Sequence, residues 1–131
     1  MLKDEAVKYV KDWPETHTYV CSEATLRAAN DYYRLGLEDD ALKLAAAFGG
    51  GMYSEETCGI VIGGCMAISS RYSADEPPHV NDRVKQKTQA WINAFKEKYG
   101  TISCKELREK CNGNCKLLVQ EGCEILESVN A

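Results

Sequence analysis

The chain has 131 residues, of which 44% are hydrophobic and 27% are charged. This composition supplies enough apolar side chains for a hydrophobic core and differs from that of disordered chains. Its formal net charge of −4 excludes the strongly basic surface that nucleic acids and anionic membranes require. We therefore expect a single domain over residues 1–131 with no nucleic-acid partner.

The apolar segments are too short to cross a membrane. The longest, residues 59–68, is interrupted by glycines, whereas a transmembrane helix needs about twenty apolar residues. The charged N-terminal residues 1–5 lack the apolar core of a secretory signal. We expect a soluble, cytoplasmic protein without membrane insertion.

Apolar residues recur at helical spacing along most of the chain. In chain order, the predicted helices are one that ends at Trp13-Pro14, then 21–36, 37–48, 58–68, 84–99, 104–110 and 115–129. Ser22 is the expected N-cap of the second helix and Gly36 its C-terminal glycine. Two loops separate helices, one over 49–56 and one with Pro77 and Pro78. We predict an all-α fold in which about five to seven helices pack as a compact bundle or orthogonally.

Seven cysteines are present, without a C-x-x-C pair. Four of them fall at or near predicted helix N-termini: Cys21, Cys58, Cys104 and Cys115. A helix N-terminus has free N–H groups and about half a positive charge, which favour a thiolate. We interpret these four as candidate catalytic thiols and metal ligands, and we expect Cys58 to be the most acidic and reactive.

The remaining cysteines have other predicted roles. Cys65 and Cys123 each lie two turns inside an apolar helix, and we interpret them as core residues. Cys111 lies four residues before Cys115, across Asn112-Gly113-Asn114. It is interpreted as a resolving thiol or as a partner in a local disulfide.

Several motifs occur in a recognisable order over residues 19–128. They are Cys21-Ser22-Glu23-Ala24, Phe48-Gly49-Gly50-Gly51-Met52, Cys58-Gly59-Ile60-Val61-Ile62-Gly63, Cys104 and Cys115-Lys116-Leu117-Leu118-Val119. This pattern resembles the C_GCAxxG_C_C family, to which redox activity is ascribed. Cys58, Gly59 and Gly63 match its Cys-Gly-Ala-x-x-Gly motif, with Ile60 where alanine is usual. The resemblance implies that the four helix-start cysteines are the family's characteristic four. Cys111 lies so close to Cys115 that a small shift of the alignment would put Cys111 in its place.

Three functions are compatible with four clustered thiols. The first is an iron–sulfur cluster for electron transfer, held by the four cysteines. Glycines would let the backbone approach such a cluster closely. The glycines concerned are Gly49, Gly50, Gly51 and Gly59. The second is a metal-free dithiol/disulfide cycle without a cofactor. The third is a zinc-stabilised interaction domain, ranked last because the chain has its own core.

The sequence leaves the partners of such a protein open. A redox function implies an unidentified redox partner protein, and a homo-oligomer is compatible with the composition. His17 and His79 lie in polar, loop-like surroundings and are interpreted as surface residues. The sequence does not decide whether the chain is an enzyme.

Overall fold

The computed structural model describes residues 1–73 and 82–130. The predicted Pro77-Pro78 loop and His79 lie outside the described residues. The described residues form an all-α domain without strands, which confirms the predicted fold class. The helices are α1 Leu2–Val10, α2 Cys21–Tyr33, α3 Asp39–Leu42, α4 Gly59–Ser73, α5 Asp82–Tyr99, α6 Cys104–Lys110 and α7 Lys116–Val129.

The ends of α2 differ from the prediction. Val20 takes the N-cap position in extended conformation, whereas Ser22 lies buried inside the helix. The Ser22 hydroxyl donates a hydrogen bond to the carbonyl of Ala45 at 2.6 Å. At the other end the chain leaves the helix at Arg34, which has φ of 54°, before it reaches Gly36. The N-cap prediction was wrong because a carbonyl from another segment satisfies the hydroxyl.

The predicted third helix is shorter than expected. Only α3 is α-helical, and the chain continues as a 3₁₀ segment over Lys43–Phe48. This segment packs against α2. It places the glycine-rich loop, which begins at Gly49, beside the start of α2.

Helix α4 occupies the centre of the domain, as its almost continuous apolar sequence predicts. It contacts α2 and α5 extensively and also packs against α7. Glycines make these contacts close. A Cβ atom at Gly63 would lie 2.5 Å from the Ser22 carbonyl oxygen, and one at Gly64 would lie 2.5 Å from the Trp91 indole.

Trp91 and Phe95 of α5 complete the core against α4. Both side chains are fully buried, and their rings meet edge to face at 5.5 Å. The Trp91 indole N–H donates to the carbonyl of Val61 at 3.0 Å. This bond satisfies the indole in the interior and fixes its ring over Gly64. No helix in the described part of the chain is long and apolar enough to span a membrane.

The close contact at Gly64 predicts a large effect of a single methyl group. Gly64→Ala should destabilise the fold by about 1–3 kcal/mol, because the added Cβ overlaps the buried Trp91 ring. Ser69→Ala, at an exposed position on the same helix, is the control and should change stability by less than about 0.5 kcal/mol. Urea denaturation of both variants measures the difference, and equal stabilities would contradict the packing described here.

Candidate functional site

Two short chain segments bring Cys58 and Cys104 together. Thr57 and Ser103 pair as an antiparallel bridge. On either side of it, the N–H of Cys58 donates to the Ile102 carbonyl at 2.7 Å, and the N–H of Cys104 donates to the Glu56 carbonyl at 2.6 Å. Because α4 and α6 both start at this bridge, their first cysteines lie side by side.

Cys21 reaches the same place because Gly59 has no side chain. Cys21 is the first residue of α2, and its Sγ lies where a Cβ of Gly59 would be. Backbone N–H groups of Gly50, Ser22 and Gly59 interact with this sulfur and favour its charged form. The start of α2 therefore contributes a sulfur that backbone amides from three segments surround.

A left-handed turn connects the 3₁₀ segment to the bridge. Gly50 and Gly51 have φ near 60°, and so do Met52, Tyr53 and Glu55. Each residue with a Cβ costs about 1–2 kcal/mol in this conformation, so the turn stores backbone strain. Gly51 is required here for space as well, because a Cβ atom would lie 2.7 Å from Cys104 Cβ.

The four predicted site cysteines line a single cavity of about 390 Å³. Cys115, at the N-cap of α7, supplies the fourth thiol. Of the predicted glycines, Gly49 and Gly50 also line the cavity, whereas Gly51 and Gly59 lie behind Cys104 and Cys21. Cys21 and Cys104 are the first residues of their helices, and Cys58 and Cys115 directly precede α4 and α7, in agreement with their predicted positions at or near helix N-termini.

Burial and not the helix dipole dominates the acidity of these thiols. Burial, with a smaller contribution from the nearby Cys21 and Cys104, raises the pKa of Cys58 to about 12, although the N–H groups of Ile60 and Val61 oppose the shift. The expectation that Cys58 is the most acidic thiol was wrong. Desolvation in the interior outweighs the amides at the start of α4.

The other three cavity thiols are affected in the same direction. Burial raises the pKa values of Cys21, Cys104 and Cys115 above the ordinary value. Cys58 and Cys21 both add to the effect at Cys115, so the thiols interact electrostatically across the cavity. The Arg108 side chain opposes the shift at Cys104. These thiols therefore lose their protons at higher pH than ordinary thiols do.

The remaining cysteines lie away from the cavity walls. Cys123 is fully buried in the core. Cys65 is partly buried and packs against the core, as expected for a packing residue. Cys111 is the C-cap residue of α6, and its Sγ lies 3.0 Å from Cys115 Sγ. The predicted proximity of Cys111 and Cys115 is thus a direct contact of their sulfurs.

Several cavity residues were not identified from the sequence. Trp13, Val20, Tyr53 and Leu118 contribute apolar surface, and His17 and Arg108 contribute nitrogen groups. His17 is exposed, as expected, but its ring contacts Trp13 at 4.3 Å and borders the cavity. The sequence carried no signal for these residues, because the loop after α1 reaches the cavity only through tertiary contacts.

Hydrogen bonds hold that loop in place. The Asp12 carboxylate accepts bonds from the Thr18 N–H at 3.2 Å and from the Thr18 hydroxyl at 2.7 Å. The Trp13 indole N–H donates to the Tyr19 carbonyl at 3.2 Å. The loop therefore forms a fixed wall of the cavity in front of Cys21.

Raised thiol pKa values make a specific prediction for the reduced, metal-free protein. At neutral pH, Cys58 should be alkylated at least about a thousandfold more slowly in the folded chain than in the unfolded chain. The shift of about three pKa units leaves correspondingly less thiolate. Because the thiolate forms as pH rises, the rate should increase about tenfold per pH unit up to the pKa.

Iodoacetamide labelling followed by mass spectrometry of each cysteine peptide measures these rates. The same protein in urea is the control, because there Cys58 loses its burial. Equal rates at neutral pH in the folded and unfolded protein would contradict the shift.

Among known proteins, a family model matches most of the chain. No curated protein and no solved structure matched the chain. The family model described as "Putative redox-active protein (C_GCAxxG_C_C)" matches residues 19–129. This match covers α2 to α7 and includes all four cavity cysteines. The chain therefore belongs to the C_GCAxxG_C_C family.

Proposed function

We propose that the chain is an electron-transfer protein in which Cys21, Cys58, Cys104 and Cys115 hold an iron–sulfur cluster. The observation that carries the proposal is the convergence of four thiols, from the starts of four helices, on one cavity. Four cysteines are the usual ligand set of such clusters, which supply one-electron transfer when bound.

The size of the site favours a cluster over a single ion. A tetrahedral zinc site needs sulfurs about 2.3 Å from one centre, and therefore about 4 Å from each other. Within residues 1–73 and 82–130, no three His, Cys, Asp or Glu side chains form a group that could hold one metal ion. The cavity of about 390 Å³ that the four thiols line has room for a group larger than a single ion.

The backbone around the sulfurs supports the same proposal. N–H groups of Gly50, Ser22 and Gly59 face Cys21, and those of Ile60 and Val61 face Cys58. Hydrogen bonds from backbone amides to ligand sulfurs stabilise the reduced, more negative form of a cluster and so tune its potential. The chain supplies these donors without side chains, through the glycines and the start of α4.

The electrostatics of the cavity also favour a cationic occupant. Burial and mutual repulsion disfavour thiolates at Cys58 and Cys115 in the metal-free protein. A metal centre deprotonates its thiol ligands outright and compensates their charge. The raised thiol pKa values therefore support a role of the four cysteines as ligands of a positively charged group.

Metal and sulfide analysis of the anaerobically prepared chain tests this proposal. The wild-type protein should contain iron and acid-labile sulfide in similar amounts and absorb visible light. Cys58→Ser should lose most of the iron and sulfide, because serine replaces one of four thiolate ligands. Cys65→Ser is the matched control, since Cys65 lies on the same helix but outside the cavity walls, and it should retain both.

Two results would contradict the proposal. One is a reconstituted wild-type protein, folded by circular dichroism, that contains neither iron nor sulfide. The other is retention of the full iron and sulfide content in Cys58→Ser.

A further inference from the structure

The turn between α6 and α7 holds two cysteines in sulfur-to-sulfur contact. Cys111 ends α6 and Cys115 precedes α7, and their Sγ atoms are 3.0 Å apart. A disulfide bond has an S–S length of about 2.05 Å, so a movement of about 1 Å joins them. Both thiols are free in the structure.

Backbone hydrogen bonds fix this arrangement. The N–H of Gly113 donates to the Arg108 carbonyl at 2.8 Å, and the N–H of Asn114 donates to the Cys111 carbonyl at 3.1 Å. Asn112 and Gly113 both have positive φ, which turns the chain sharply between the two cysteines. The contact of the sulfurs therefore results from the geometry of the turn.

The two thiols face different spaces. Cys115 lines the cavity that holds the other three site cysteines. Cys111 does not line that cavity but a second groove of about 360 Å³, which shares Leu118 with it. The groove walls include Leu107, the exposed Leu117, and the oppositely charged Lys110 and Glu121. A small uncharged molecule can approach Cys111 there without entering the cavity.

We propose that Cys111 and Cys115 form a thiol–disulfide exchange site whose substrate is a low-molecular-weight disulfide that enters through the groove. Cys111 is the thiol that meets the substrate, and Cys115 is the resolving thiol. Nothing in the cluster proposal requires Cys111, so this site is a second redox function of the same chain.

The exchange proceeds in two balanced steps. Cys111 attacks one sulfur of the substrate RS–SR, which forms a mixed disulfide Cys111–S–SR and releases one RSH. Cys115 then attacks Cys111 Sγ, which forms the Cys111–Cys115 disulfide and releases the second RSH. The protein loses two protons and two electrons, and the substrate gains both.

The exchange reaction is proposed for the metal-free protein and does not require a cluster. Its effect on cluster binding in the cavity rests on the proposed function. A Cys115 engaged in a disulfide is no longer a thiolate ligand. The oxidised pair and a cluster bound by all four cysteines are therefore mutually exclusive, and a disulfide arriving at the groove controls whether the cavity can be loaded.

The test uses the full chain, reduced and freed of metal, with 2-hydroxyethyl disulfide as the probe. Mass spectrometry of the wild type should detect loss of two hydrogen atoms, and peptide mapping should place the bond between Cys111 and Cys115. Cys115→Ser should stop at the mixed disulfide on Cys111. Cys111→Ser should form neither product, and Cys65→Ser, the matched control, should react like the wild type.

Three results would overturn the inference: a wild-type disulfide that joins other cysteines, an unmodified Cys111 in folded Cys115→Ser, or wild-type oxidation of Cys111→Ser. If Cys115→Ser does not fold, the peptide map of the wild type decides alone. Iron and sulfide content of Cys111→Ser separates the two proposals. In Cys111→Ser, normal iron and sulfide content with failed exchange is the expected result. Normal iron and sulfide content with failed exchange in the wild type contradicts only the exchange site, and normal exchange without iron in the wild type contradicts only the cluster.

Discussion

The arrangement of the domain depends on the absence of side chains on α4. Gly59 and Gly63 let α2 approach so closely that the Cys21 sulfur and the Ser22 carbonyl occupy the space of a Cβ atom. On another side of α4, Gly64 accepts the Trp91 ring of α5. Helix α7 makes a similar approach through Gly122, which lies against Ile60. A single helix with small residues on several sides thus fixes the positions of its neighbours and, through them, of the thiols.

Two opposing effects act on the sulfurs that this packing collects. The starts of the helices offer N–H groups that favour thiolates, and the burial that results from the same packing disfavours them. At Cys58 burial prevails and raises the pKa to about 12. The amides remain in place and still interact with the sulfur. The acidity of Cys58 is thus set by burial, against backbone amides that favour its thiolate.

Much of the fold could be predicted from local sequence, and part of the site could as well. Helical spacing located α5 and α7 because each buries one face with a 3.6-residue repeat, and the continuous apolar run located α4. The four cavity cysteines could be selected because each falls at or near the start of one of the predicted helices. Tertiary effects could not be predicted. Ser22 is not the N-cap, because its hydroxyl donates to the carbonyl of Ala45, which is distant in sequence. The wall that Trp13 forms and the burial of Cys58 likewise depend on contacts between remote segments.

Beside the bridge between Thr57 and Ser103, two backbone amide hydrogens are protected only while the thiol site stays closed. The N–H groups of Cys58 and Cys104 are bonded across the bridge to carbonyls from the opposite segment, and both residues are almost fully buried. Their exchange with deuterium requires the segments to separate, which also opens the cavity between α4 and α6. The protection of these two hydrogens consequently reports the free energy of opening the thiol site, separately from that of unfolding the whole domain.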